Sequence, residues 1–333
     1  MRKHRAGLLC ALAGAAASLW AVSASGAIFY SEDFNADHTA NWTVNASGGA
    51  NSTDTTADFF YDYSAVGVPA APNGTGTRGL KMTCNNSSGV FGGFSVSPLL
   101  QSFSGNYRLA FDMWQNYVGP LGPGGSGTTQ LTLYGVGTTG TTASWIGGFA
   151  ATGEQGLGFG TTLDGGSAAD YRVYSSAATA SYPSGNAVYQ APGGAINNSN
   201  AYYAFYTPQS APAAQVGLFP GQTGSTDPGE TSFIWRRVTI DVADGFAYWA
   251  IDGLPLAKVN LSTVTLGGSN IFLGYDDTNA TSSTDPNRLA LNVALIDNIT
   301  VGDTPVPEPA SLGLLSLGSL AVIRRGLLRR RQR

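Results

Sequence analysis

The 333-residue chain has two cysteines and two histidines. Cys10 falls in the apolar run that opens the chain, so only Cys84 remains in the body and no internal disulfide is possible there. Cys84 closes the strand-like stretch Leu80 to Cys84 and reads as a buried apolar residue rather than a nucleophile. His4 belongs to the opening segment, which leaves His38 as the one histidine of the body. One histidine and one cysteine do not make a zinc site. A Ser-His-Asp triad could use only His38, which lies in a polar stretch without a nucleophile elbow. Charge is sparse as well, at 11% of residues. No basic stripe marks a nucleic-acid binder. Between the two ends, no window of 12 residues carries helical periodicity.

What the chain has is glycine (45 residues), Thr, Ser, Asn and aromatics, in short β-branched and aromatic runs broken by Gly, Asn, Asp and Pro. This pattern predicts an all-β fold, an antiparallel β-sandwich with long loops. Strands are expected at 28–33, 41–44, 58–63, 78–84, 91–96, 107–114, 130–135, 144–149 and 170–174. Residues 201–206 read as a strand or a short helix, and the middle, 152–228, as mostly loop. Further strands are expected at 233–242, 246–251, 254–259, 271–275 and 289–301. Asp244-Gly245 and Asp252-Gly253 are tight-turn signals, because Asp-Gly favours positive φ. The glycine-rich run 156–160 has no following helix and no Lys, so it reads as loop rather than phosphate cradle.

The two ends differ from the body. Arg2, Lys3 and Arg5 precede an apolar run, Leu8 to Val22, and small residues up to Ala27. That is the pattern of a secretory signal peptide, 1–27, cleaved by signal peptidase after Ala24 or Ala27. Ala27 is preferred because strand-like Ile28-Phe29-Tyr30 follows it. At the other end, segment 305–333 holds Val306, Pro307, Glu308 and Pro309, then 14 uncharged residues, Ala310 to Ile323. Arg324, Arg325, Arg329, Arg330, Arg331 and Arg333 follow. Prolines lack a donor and fix φ, so the block cannot continue a helix, and the apolar run can begin one at Ala310; extended by Leu327 and Leu328, it approaches the length of a membrane crossing. This order resembles the PEP-CTERM sorting signal of bacterial envelope and extracellular proteins. The resemblance implies exosortase as a processing partner, an inner-membrane-anchored precursor with a transmembrane helix, and a cell-surface or extracellular destination. With both ends removed, eight basic residues face 20 acidic ones, a net charge of −12. That argues again against nucleic acid as a partner.

A second resemblance rests on Trp235, Val238, Ile240, Gly245, Tyr248, Ile251, Asp252 and Gly253, and on the closing stretch Leu295 to Val301. These look like the late hairpins and last strand of concanavalin A-like and laminin-G-like jelly rolls. The resemblance implies one such domain over 28–304, with the last strand near the first. Glucanases of that fold carry two Glu and an Asp on one strand, but Glu32, Glu154 and Glu230 are scattered and Asp276-Asp277 would face opposite sides of a strand. The domain is therefore expected not to be an enzyme. The expected role is a surface, matrix or biofilm-associated protein that binds carbohydrate; the alternatives are a jelly-roll glycoside hydrolase and a purely structural envelope protein. Calcium is a candidate cofactor at Glu32, Asp33, Asp297 and Asn298, or at Asp276, Asp277, Asn279 and Asp285, against the alternative of Asx turn chemistry. Glycan-stacking candidates are Trp114, Tyr117, Trp145, Tyr202, Tyr203 and Tyr206, against the alternative that they form core. Adjacent strand residues cannot share a face, so one of Tyr202 and Tyr203 is expected to be exposed or covered by a loop.

Overall fold

The computed structural model describes residues 26–46, 54–85, 92–122, 129–143, 156–164, 166–175, 180–278 and 282–304. The expected signal helix, sorting segment and strand at 144–149 lie outside these residues, as do Trp145, Glu154 and Asn279. Ala27–Thr304 is one compact unit. Its strands are β1 (Ile28–Glu32), β2 (Trp42–Ala46), β3 (Thr55–Asp62), β4 (Arg78–Cys84), β5 (Gly92–Pro98), β6 (Tyr107–Asn116) and β7 (Gln130–Thr138). They continue with β8 (Leu157–Thr162), β9 (Tyr171–Ser175), β10 (Arg236–Ala243), β11 (Phe246–Ile251), β12 (Leu254–Asn260), β13 (Asn270–Asp277) and β14 (Val293–Gly302). Two sheets stack as an antiparallel jelly-roll sandwich. Sheet A runs β12-β11-β10-β6-β14-β4-β3, with β1 also on β14; sheet B runs β2-β5-β13-β7-β8-β9.

Alternation explains the late strands. Arg236, Val238, Ile240 and Val242 of β10 point into the sandwich, facing Ala247, Trp249 and Ile251 of β11. Both connecting turns place Asp and then Gly at positive φ: Asp244 at 52° and Gly245 at 80°, Asp252 at 50° and Gly253 at 80°. Two successive positive φ values give the primed turn whose twist matches the flanking strands.

Other elements depart from the sequence pattern. Run 156–160 is not a loop; most of it is strand β8. Phe272, Gly135, Gly158 and Tyr174 form one row across β13, β7, β8 and β9. A Cβ on Gly135 would come 2.5 Å from the Phe272 ring, so the glycine leaves the room in which that ring lies flat. Phe272 joins Leu131, Leu133, Ala143 and Tyr174 in a small apolar cluster on the outer face of sheet B. Residues 201–205 form a 3-10 helix, the second of the two options the sequence left open. Leu289–Leu291 belong to a short helix rather than to the last strand. Among the described residues, no helix is long and apolar enough to cross a membrane.

The middle segment is not loose. Asp170 accepts bonds from Thr162 Oγ1 at 2.7 Å and from Asn198 N at 2.9 Å. Tyr171 stacks on Tyr203 at 3.9 Å between centroids and donates to Gly229 O, and Tyr206 donates to Ile251 O. Residues 188–190 run along the outer edge of β12, with Lys258 N on Val188 O and Gln190 N on Leu256 O. Trp249 is the hub between sheets, within 6.4 Å of Tyr134, Phe159 and Tyr171 ring to ring. Trp249→Ala is expected to cost about 3–5 kcal/mol in a denaturant titration; an unchanged midpoint would contradict the packing described.

Candidate functional site

Several sequence candidates are placed where they meet no ligand. Trp114, Tyr117, Tyr203 and Tyr206 are fully buried. Trp114 packs on Trp235 and Phe233, and Tyr117 on Phe233, so these rings are core, not stacking platforms. Tyr202 is partly exposed, while Tyr203 beneath it is closed off, and the Tyr202 hydroxyl donates to Pro255 O.

The calcium clusters do not assemble. β1 and β14 do pair, Glu32 opposite Ile299, as the resemblance implied. Their acidic oxygens are nevertheless spent on protein donors. Glu32 accepts from Phe34 N and holds the His38 ring at 3.0 Å. Asp33 accepts from Asn35 N. Asp297 accepts from Asn298 N and Tyr63 OH, and Asn298 Nδ2 donates to Asp112. On β13, Asp277 takes Asn85 Nδ2 and Thr129 Oγ1 at 2.7 Å each, while Asp276, on the opposite face, has neither carboxyl oxygen hydrogen-bonded. Asp285 caps its own turn through Asn287 N. Calcium needs converging free oxygens. Among the described residues no three acidic, His or Cys side chains gather for a metal. Asx bonds engage Asp33 and Asp285, and strand alternation turns Asp276 away from Asp277.

An open cleft of about 810 Å³ lies elsewhere, on the outer face of sheet A. Strand register builds it from three rows. One row runs Arg108 (β6), Asp241 (β10), Tyr248 (β11), Lys258 (β12), each directly opposite the next. The next row is small: Ala110, Thr239, Ala250, Pro255. The third carries Asp112 opposite Arg237, with Asp252 Oδ1 accepting from Arg237 N. A low row between two taller ones is a trough across the strands. Three interstrand spacings make it roughly 14 Å long.

The charges in the trough are spent internally. Arg108 meets Asp241 in a two-pronged pair at 2.5 and 2.6 Å. Arg237 reaches Asp112, Asn298 O and Thr300. Asp252 holds Arg236 at 2.9 Å. The Lys258 ammonium lies over the Phe246 and Tyr248 rings at 4.3 and 5.3 Å. Tyr248 keeps 38% of its surface exposed. What remains for a ligand is an aromatic ring flanked by hydroxyl, amide and paired-ion groups, including Gln190 at the rim. Sequence reasoning placed Tyr248 in a fold signature and missed it as a site. Alternation in Phe246 to Ile251 was the available signal, since it turns Tyr248 away from buried Ala247 and Trp249.

Carboxyls that burial pushes toward the neutral form do not line this cleft. Asp170 rises to about 6, Asp297 to about 7 and Glu230 to about 8, each mainly through desolvation. Glu230 accepts from Asp227 N and Tyr117 OH.

Residues 305–331 match the PEP-CTERM protein-sorting motif. No curated protein matches the sequence. Among solved structures, a protein of unknown function with a galectin-like fold from Bacillus subtilis is similar at 9% identity and TM-score 0.44, over 84% of this chain and 96% of that one. The Emp47p carbohydrate recognition domain is similar at 6% identity and TM-score 0.39, over 79% and 88%. The beta-glucanase of Bacillus licheniformis is similar at 10% identity and TM-score 0.38, over 83% and 97%.

The raised carboxyls generate a pH dependence with a definite sign. The folded state keeps protons that the unfolded chain releases near pH 4, so stability falls as pH rises from about 4 to about 8. The melting temperature should therefore be higher at pH 5 than at pH 8, and the Glu230→Gln/Asp297→Asn double variant should flatten the slope. An unaltered slope in the variant would remove these two groups as its cause.

Proposed function

We propose that the chain is an exported cell-surface or extracellular-matrix protein, sorted by exosortase, whose β-sandwich is a non-enzymatic carbohydrate-binding module. The observation that carries this reading is the PEP-CTERM motif over residues 305–331. Its physical parts are a proline block that stops regular structure, an apolar run, and a basic end that stays on the cytoplasmic side. Signal peptidase would act at the N-terminal segment and exosortase at the tail. The precursor is held at the inner membrane until the tail is processed, and the sandwich is then delivered outside.

The binding role is supported by the open cleft with its exposed aromatic ring. A non-catalytic role is supported by the disposition of the carboxylates. Glycosidic hydrolysis uses one protonated and one ionised carboxyl beside the same sugar. Here the carboxyls that burial favours as neutral are interior, whereas Asp241 and Asp252 at the cleft are ion-paired with Arg108 and Arg236. Calcium has no part in the reading, because among the described residues no three acidic, His or Cys side chains gather to hold it.

In a host that makes exosortase, the Pro307→Ala/Pro309→Ala variant is expected to accumulate as a membrane-bound precursor, while the unaltered chain is trimmed and leaves the inner membrane. Immunoblotting of membrane and surface fractions reads this directly. Equal trimming of both chains would sink the sorting assignment.

A further inference from the structure

We infer that the trough on the outer face of sheet A, across β6, β10, β11 and β12, is a binding site for an extended neutral saccharide. The inference rests on the carbohydrate-binding reading above and assigns that reading a place and a ligand class.

Three observations converge on this site. First, the trough has the size of a small-molecule site, about 810 Å³, within the usual range of roughly 300–1,000 Å³. Its low floor of Thr239, Ala250 and Pro255 crosses the strands rather than following them. Second, the strands beneath it have no unpaired edge to offer. β10 and β11 are paired on both sides, and residues 188–190 occupy the outer edge of β12. A peptide that binds by extending a sheet needs a free edge. Recognition here must come from side chains. Third, those side chains are an exposed ring, Tyr248, beside hydroxyl and amide groups, Thr239 and Gln190, with the acids already matched to arginines. A ring face takes the apolar C–H side of a sugar, and polar groups around it take the hydroxyls.

Charge decides between neutral and acidic sugars. The domain carries a net −12, which repels a polyanion at long range. Inside the trough Arg108 and Arg237 are neutralised by Asp241 and Asp112, and the Lys258 ammonium faces two aromatic rings. Of these cations, Lys258 alone has no acidic partner among the described residues, and its ammonium is engaged with the ring faces.

The test uses the full chain in a non-glycosidic detergent, since alkyl glycosides would themselves present a sugar, on an array of neutral and acidic glycans. Two variants probe the trough: Tyr248→Ala removes the ring, and Ala250→Trp fills the floor. Both positions are at the surface, and unchanged melting temperatures confirm that the variants fold. Neutral glycans should bind, with affinity falling about tenfold in Tyr248→Ala, the loss expected for one stacking contact. Tyr248→Phe should retain most of the binding, and Ala250→Trp should abolish it. Neutral-glycan binding indifferent to both variants would overturn the trough as the site and leave the carbohydrate-binding reading standing. Binding restricted to acidic glycans and lost in Lys258→Gln would overturn the neutral class. Absence of binding to every glycan would overturn the carbohydrate-binding reading, and the inference with it.

Discussion

The sandwich depends on the placement of its last strand. β14 lies inside sheet A, pairing with β6 over most of its length and with β4 and β1 on its other side. Without it, sheet A falls into a β12-β11-β10-β6 half and a β4-β3 hairpin, each with a bare edge. The chain ends it brings together are far apart: Ala27 N bonds to Asp303, 276 residues away. Such pairing closes a very long loop before it gains contacts, which makes it late and slow to form. The sorting motif at 305–331 follows almost at once. Synthesis therefore reaches the sorting segment at the stage when the domain first has all the strands it needs.

Register in that strand is set by polar groups rather than by hydrophobicity alone. Ala294, Leu295, Ile296, Ile299 and Val301 would tolerate a slip of two residues, because period two returns apolar side chains to the same face. Asp297 and Asn298 would not. The ladder is irregular there, with Asn298 at φ 51°, and both side chains enter a buried clasp. Asp112 accepts from Asn73, Asn298 and Arg237, while Tyr63 reaches Asp297. A slip would leave several buried polar groups without partners, each costing about 1–3 kcal/mol. The clasp also orders residues around Asn73 on the outer face of sheet A, which is why Asp112, on the side of β6 facing away from the core, is inaccessible.

Much of this fold was legible because local patterns agreed with it. Strand β4 and the β10-β11-β12 hairpins follow alternation and Asp-Gly turns, which act over a few residues. What escaped depends on distant chain. The glycine run that became β8 is strand because the Phe272 ring from β13 fills the space that its cross-strand neighbour Gly135 leaves. Tyr202 and Tyr203 differ in exposure not through strand alternation but through a 3-10 turn laid over Tyr171. The acidic clusters suggested ligands because sequence shows oxygens and hides their donors; Asn85 and Thr129 satisfy Asp277 from far along the chain. The trough was illegible for the same reason. Its rows exist only in cross-strand register, four strands deep, although each strand's outward face could be read singly.

On the proposed carbohydrate-binding reading, the trough offers a ligand fixed polar groups rather than a proton donor. Its charged groups sit in pairs fixed by adjacent β-strands, so they offer directed hydrogen bonds without rearrangement and at small entropic cost. A general acid must instead keep its proton near neutral pH, which takes burial beside the substrate. This chain does hold such carboxyls, Glu230 and Asp297, but spends them on Tyr117 and on Tyr63, where they tie loop to strand. To turn the site toward hydrolysis, a carboxyl would have to exchange its arginine for an apolar neighbour. Removing the guanidinium from Asp241 or Asp252 would loosen the β6-β10 or β10-β11 contact that shapes the trough. The same ion pairs that give the cleft its form keep both of its acids engaged with arginine.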